Sequence, residues 1–254
     1  MKKKSDWDPQ HYRKHADLQE AIALNFMSPF FFRGDESILD LGCGPGNITK
    51  VLATKVKAGQ VVGVDISKKM IDYAIAEYGD IPNLHFQLQS ADNLHFEKKF
   101  DLVTSFFTLH WVKNQKTVLE NVRNILVKDG TIRFLIVSGG DPKISEVFQR
   151  ESWRSEICGM KERFSDVKAD EYRLLLEELG FFNISVRVKK IQHTFPTREE
   201  TIQHYMTWLP SATGLCRERS LELAGEVVDS ISDEPNQLTN IETITSVLCV
   251  EAQI

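Results

Sequence analysis

The sequence predicts an α/β protein: a mostly parallel sheet with an antiparallel last strand and helical insertions over one edge. Three observations carry that expectation. Short apolar runs recur through the first half of the chain, at Ile38 to Leu41, Val61 to Val64, Leu84 to Leu88, Phe100 to Thr104 and Thr131 to Val137. The first of them, with Ile38, Leu39 and Leu41, suits a strand buried on both faces, as in a parallel sheet. The first run ends in Gly42, Gly44 and Gly46, and Ile48, Val51, Leu52 and Val56 then follow at roughly helical spacing. Finally, 254 residues with 42% hydrophobic content are ample for one globular domain.

In chain order, Trp7 to Phe32 opens with Pro9, suited to a helix start, and supplies an apolar face through Leu18, Ile22 and Leu24 to Phe26. A single helix is expected here, with Tyr12, His15 and Gln19 sharing one face that could close over a ligand. After the first strand and its glycine loop come the second strand, ending in Asp65, and a helix from Ser67 to Tyr78 that turns Met70, Ile71, Ala74 and Ile75 inward. The third strand is followed by Ser90-Ala91-Asp92, and the fourth by Ser105 to Trp111. A helix from Thr117 to Leu126 and a turn at Lys128-Asp129-Gly130 lead into the fifth strand. Beyond Pro142, Val147, Phe148, Trp153, Ile157 and Met160 stand at helical intervals and read as a cap reaching Phe164. A helix from Asp170 to Leu179, a long strand from Phe182 to Phe195, a helical insert from Thr197 to Ser230 and a last strand from Ser246 to Ala252 complete the order. The expected organisation is an N-terminal helical lid (1–36), a ligand-binding core (37–138), and cap insertions with the last two strands (139–254).

The loop carries the chemistry. A dinucleotide fingerprint needs a third glycine where Asn47 stands. The pattern present is D-x-G-x-G-x-G, with Asp40 two residues ahead of the first glycine. A pyrophosphate gains nothing from that carboxylate, whereas a cationic sulfonium or amino group does. Asp65, at the tip of the second strand, suits the hydroxyls of a ribose and serves either kind of ligand. In an open parallel sheet ligands sit beyond the carboxyl ends of the strands, which places Ser105 to Trp111 at the reacting end.

The formal net charge of −5 argues against general affinity for nucleic acid, and Arg187, Lys189 and Lys190 read as the solvated side of a strand. Cys43, Cys158, Cys216 and Cys249 lack metal-ligand or C-x-x-C spacing and read as reduced thiols of a cytoplasmic protein. No metal site is expected. Met1 to Lys4 is basic but is followed by no apolar stretch, and no run approaches membrane-spanning length.

The glycine loop resembles the first motif of class I methyltransferases that use S-adenosylmethionine (SAM), and Ile38 to Val137 as an ordered set resembles their SAM-binding core. H-Y-x-x-H-A-D-L-Q ahead of the core and L-H-W-V after the fourth strand resemble the small-molecule carboxyl O-methyltransferases, a group that includes the trans-aconitate, juvenile hormone acid and malonyl-acyl-carrier-protein enzymes. The resemblance implies a seven-stranded Rossmann-like class I methyltransferase fold, SAM as cofactor and S-adenosylhomocysteine as product. It implies cofactor contacts at Asp40, Gly42, Cys43, Gly44, Gly46, Asp65, Ile66, Ala91, Asp92, Ser105 and Phe106, with Asp92 accepting from the adenine amino group beside the small Ala91. It implies Gln19 and Trp111 at the acceptor, with His110 beside them, and a small-molecule or carrier-linked carboxylate as partner. A carboxylate is already ionised at pH 7 and needs no base. A phenol, quinol or amine acceptor would call on His110 or His15 instead, and a protein that only holds SAM or its product is the non-enzymatic alternative.

Overall fold

The computed structural model describes residues 7–157, 164–165, 167–232, 234 and 237–254. Met1 to Lys4, Cys158 and Met160 lie outside them. Seven strands form one sheet: β1 (Ser37–Leu41), β2 (Gln60–Asp65), β3 (Leu84–Leu88), β4 (Phe100–Phe106), β5 (Leu126–Gly140), β6 (Phe182–Thr197) and β7 (Thr239–Gln253). Their order across the sheet is β3-β2-β1-β4-β5-β7-β6. The first five run parallel, and β7 is antiparallel to both β5 and β6. The chain reverses direction across the sheet between β1 and β4, and in open sheets of this kind the crevice at such a switch point is where ligands bind.

Helices α1 (Pro9–His15) and α2 (Asp17–Met27) precede the sheet. The single helix expected here is broken at Ala16, whose φ of −104° and ψ of 20° leave the helical region. The charges explain the break. Arg13, Lys14 and His15 occupy the last turn of α1, and Asp17 and Glu20 the first turn of α2, so each set faces the helix end whose dipole it complements. Asp8 caps α1 by accepting from the His11 amide at 3.1 Å, ahead of Pro9.

Helices α3 (Asn47–Lys55), α4 (Lys68–Tyr78) and α5 (Gln115–Ile125) alternate with the first strands. Ser67 caps α4 through the Met70 amide. The chain between β3 and β4 holds no helix, contrary to a regular β-α alternation, because Leu94 and Phe96 are the apolar side chains it commits to the core. β5 starts five residues earlier than the apolar run suggests: Leu126 pairs with Phe100, and the register then shifts so that Thr131 meets Leu102. Asp129, with φ of +64°, makes that irregular turn.

Three apolar clusters fill the molecule. One lies under α5 and α8 (Ala169–Glu178), around Phe100, Phe134 and Leu176; a second under α2 and α3, around Ile38, Leu52 and Leu102. The third belongs to the cap: α6 (Pro142–Gln149), α7 (Glu151–Arg154), α9 (Arg198–Met206), α10 (Leu209–Thr213) and α11 (Arg217–Ile231) pack around Val147, Trp153, Leu223 and Val227. The cap is carried on a strand extension. Pairing of β7 with β5 stops at Thr245, while its pairing with β6 continues to Thr239. The solvated basic residues Arg187, Lys189 and Lys190 are exposed on β6. Among the described residues no helix is long and apolar enough to cross a membrane.

A buried cation fastens the N-terminal segment to the sheet. Arg133 on β5 is 6% exposed; it donates to Glu251 of β7 at 2.5 Å and to the Phe26 carbonyl of α2 at 2.6 Å, with its guanidinium over the Phe26 and Phe30 rings. Arg133→Met leaves Glu251 and the Phe26 carbonyl without this partner and is expected to lower stability by about 2–4 kcal/mol. The double variant Arg133→Met/Glu251→Met should recover most of that loss, read by thermal melts. Equal melting temperatures for Arg133→Met and the unmodified protein would show that the pair holds nothing.

Candidate active site

The glycine loop leaves β1 at the switch point and turns into α3. Gly42, Gly44 and Gly46 have φ of +68°, +54° and +88°, a region that L side chains rarely adopt. Gly42 is also packed: a Cβ there would lie 2.1 Å from the Thr108 side chain. Nothing lies within 4 Å of a Cβ at Gly44, so the backbone there is open to a ligand. The loop is tied from both sides. Asp65 accepts from the Gly44 amide at 3.0 Å and from the Ser67 amide at 2.8 Å, and Glu20 of α2 accepts from the Asn47 side-chain amide at 3.1 Å.

Asp40 lies under the loop, 2% exposed. One carboxylate oxygen accepts from Thr49 of α3 at 2.7 Å and the other from Thr104 of β4 at 2.9 Å. Burial nevertheless pushes its pKa up to about 6, against the opposing pull of the two hydroxyls and with the nearby Asp65 adding to the rise.

Two compartments meet here. The smaller, about 40 Å³, lies over the loop and is lined by Asp40, Gly42, Cys43, Gly44, Asn47 and Phe106, with Tyr12 and Glu20 from the N-terminal helices. The larger, about 610 Å³, is lined by His110, Trp111, Ser138, Asp141, His193, His204, Tyr205 and Trp208 together with aliphatic side chains. Tyr12, Gln19 and Phe107 line both.

The sequence-derived residues therefore separate into groups. Gln19, His110 and Trp111 come together on the larger cavity, and Asp40, Gly42, Cys43, Gly44 and Phe106 on the smaller. Asp65 and Ile66 at the end of β2, and Ala91 and Asp92 beyond the end of β3, line neither compartment, and Ala91 is packed into the core. Ile66 is 72% exposed, and Asp92 accepts from the Ser90 hydroxyl. Ser105 is fully buried, its hydroxyl donating to the Leu41 carbonyl at 2.9 Å, so its side chain holds β1 to β4 and lines neither compartment. Gly46 also lines neither; a Cβ there would meet Phe86 at 2.8 Å, so its smallness lets α3 approach β3.

The break at Ala16 changes the expected face. Tyr12 and Gln19 reach the compartments, while His15 lies against His11, with ring centroids 4.6 Å apart and planes tilted by 38°. His110 stacks on Phe164 with rings 6.0 Å apart, and burial pushes its pKa down to about 3. Trp111 lies 4.5 Å from Phe164 and meets Trp7 edge-on at 5.2 Å. Burial, followed by the charge of Asp65, pushes the Tyr12 phenol up to about 12. Burial pushes His204 down to about 4, with neighbouring His193 adding to the fall and a backbone hydrogen bond at His15 opposing it.

Sequence reading missed Trp7, Asp141, His193, His204 and Trp208 on the larger cavity. Their signal was indirect: aromatic and histidine residues clustering at Trp208 and its neighbours in an insert that otherwise reads as packing. Cys43, Cys216 and Cys249 are free thiols, and no metal-binding group of His, Cys, Asp and Glu occurs among the described residues.

An open sheet of this order, with a positive-φ glycine loop at the switch point and carboxylates beneath and beside it, defines a cofactor-binding α/β enzyme core. A methyltransferase-domain family model matches residues 38–130. The juvenile hormone acid O-methyltransferase of Bombyx mori is 30% identical over 204 residues, 72% of this chain and 72% of that protein. Malonyl-[acyl-carrier protein] O-methyltransferase 1 of Ilyobacter polytropus is 29% identical over 182 residues, 67% and 66% of the two chains. In solved structures the fold resembles phosphoethanolamine N-methyltransferase 2 of Haemonchus contortus with S-adenosylhomocysteine, at a TM-score of 0.65 and 17% identity over 98% of this chain and 57% of that one. The chain belongs to the class I SAM-dependent methyltransferases, and SAM is its cofactor. The open backbone at Gly44, the carboxylates of Asp40 and Asp65 and the exposed apolar Ile66 fit a cationic nucleoside.

Burying Asp40 favours the folded protein at low pH. Because its folded pKa lies above the ordinary 3.8, that contribution is complete below about pH 4 and disappears as pH rises through 6. Asp40→Asn does not titrate. Its melting temperature relative to the unmodified protein, both free of cofactor, should therefore climb between pH 4 and pH 7 and level off above, worth about 2–3 kcal/mol. A difference that stays flat with pH would mean that Asp40 is not held in this state.

Proposed function

We propose that the protein transfers the methyl group of SAM to a carboxylate oxygen of a small-molecule or carrier-linked acid. The observation that supports this is the protonation chemistry of the reacting end. With its pKa near 3, His110 is a neutral, weak base at pH 7, and the Tyr12 phenol keeps its proton. His15, the other candidate base, lines neither compartment. Phenols and amines lose a proton on methylation, whereas a carboxylate arrives ionised. The names of the silkworm and Ilyobacter relatives, both O-methyltransferases named for acids, support the same reading.

When bound, SAM supplies a methyl group on sulfonium sulfur, which the acceptor oxygen displaces in line. The protein's part is placement. Asp65 would receive the ribose hydroxyls, Asp92 the adenine amino group, and the exposed Ile66 would lie against the adenine. Gln19, on the wall shared by the two compartments, would donate its side-chain N–H to one oxygen of the acceptor carboxylate, and the Trp111 indole N–H, on the same cavity, would donate to that oxygen too. Neutral donors hold one oxygen while leaving the other nucleophilic; a tight ion pair would withdraw charge from it. Helices α1 and α2 act as a lid, the core from β1 to β5 holds the cofactor and contributes His110 and Trp111 to the acceptor wall, and the cap with the last two strands completes that wall.

Labelled methyl transferred from SAM into a clarified cell extract should be released as methanol by mild alkali; alkali-stable label would reject an ester. With the acceptor found, kcat should be flat from about pH 6 to pH 9, and a profile rising through pH 7 and abolished by His110→Ala would restore a base to the mechanism. Asp65→Ala should weaken SAM binding more than about tenfold by calorimetry, and a change under twofold would remove the ribose assignment.

A further inference from the structure

The larger cavity is chemically one-sided. Its reacting end is the wall of Tyr12, Gln19 and Phe107 shared with the loop compartment, with His110 and Trp111 also on the cavity. Much of the remainder is apolar, with Val137, Ile144, Phe148, Ile191, Trp208 and Ile244 from β5, α6, β6, β7 and the chain after α9 on its walls. Among the described residues no lysine or arginine lines the cavity, and its one carboxylate is the half-buried Asp141, which caps α6 through the Lys143 amide at 2.9 Å. The polar points on the far side are His193, His204, the Tyr205 phenol and serine and threonine hydroxyls, among them those of Ser138, Ser145, Thr207, Thr243 and Thr245. Thr207 and Thr243 already donate, to the carbonyls of His204 and His193.

We infer that the acceptor is a monocarboxylic acid with an extended, uncharged apolar body that fills this cavity, and that its far end tolerates a hydroxyl but not a second carboxylate. The inference rests on the carboxylate reading above and adds the class of acid. Two physical arguments carry it. Each methylene moved from water onto the aliphatic and aromatic wall should raise kcat/KM about fourfold until the space of about 610 Å³ is occupied. A second carboxylate brought to the same wall loses its hydration, meets no fixed cation among the described residues, and is repelled by Asp141. The histidines supply no compensating charge, since burial lowers the pKa of both His193 and His204. As neutral rings they offer hydrogen bonds to an uncharged hydroxyl.

The test uses the unmodified protein with saturating SAM and three series of acids below their micelle thresholds: straight-chain monoacids from butanoic to hexadecanoic, the matched α,ω-diacids, and the ω-hydroxy acids. The expected result is a kcat/KM that climbs with monoacid length and then levels, diacids poorer than monoacids of equal length by at least about 100-fold, and hydroxy acids within about tenfold of the monoacids. Diacids equal to or better than monoacids, or no dependence on length, would overturn the inference while leaving carboxyl methylation in place. No methylation of any acid, with SAM binding intact, would withdraw the carboxylate reading itself. Lys161 and Arg163, close to Phe164 in sequence, lie outside the described residues. The Lys161→Gln/Arg163→Gln variant should keep the preference for monoacids, and loss of monoacid turnover with SAM still bound would show a cation at the site and overturn the inference.

Discussion

The bracket of Thr49 and Thr104 around the Asp40 carboxylate is the interaction on which the site's geometry depends. A carboxylate 2% exposed is unfavourable alone, and two hydroxyls offset part of that cost. Because one hydroxyl comes from α3 and the other from β4, satisfying Asp40 fixes the helix after the loop and the strand beside it against β1. The loop above can then hold three residues at positive φ without collapsing onto the sheet. Asp65 completes the arrangement from the side by accepting from the Gly44 amide. The negative charges beneath and beside the loop are thus structural fastenings as well as a complementary field for a cationic cofactor.

The larger cavity is built on a different principle. Its walls come from the ends of elements far apart in sequence: α1 and α2, the short 3₁₀ turn Leu109–Trp111, the start of α6, the projecting ends of β6 and β7, and α9. Apolar packing within the cap, around Trp153 and Leu223, holds that assembly, and the ion pairs Arg150–Glu226, Arg198–Asp229 and Arg219–Glu156 tie α11 to the elements around it. Arg133 reaches the N-terminal helices from the opposite side through the Phe26 carbonyl. The N-terminal helices that line both compartments through Tyr12 and Gln19 are therefore tied at the end of α2 as well as at Glu20 beside the glycine loop.

Legibility in the sequence followed this division. The parallel strands and the glycine loop were readable because their information is local: Ile38 to Leu41 is apolar, Gly42 to Gly46 demands positive φ, and Asp65 ends a strand. What was not readable depended on tertiary partners. The break at Ala16 needs the opposed charges of Arg13 to Glu20 weighed against a continuous apolar face. The inward turn of Ser105 depends on the Leu41 carbonyl across the ladder, and the extension of β7 to Thr239 on pairing with β6 alone. His193 and His204 reach the cavity through a strand projection and a helix that periodicity describes only as packing, and burial then sets their chemistry.

The wall that the two compartments share has a thermodynamic consequence. Tyr12, Gln19 and Phe107 are surface for both, so whatever occupies one compartment is part of the container of the other. Their affinities are then linked, and linkage is reciprocal: the factor by which bound cofactor changes the affinity for acceptor equals the factor by which acceptor changes the affinity for cofactor. Demethylated cofactor and methylated acceptor share the same wall, so each product alters the retention of the other by one common factor that belongs to three side chains rather than to either compartment alone.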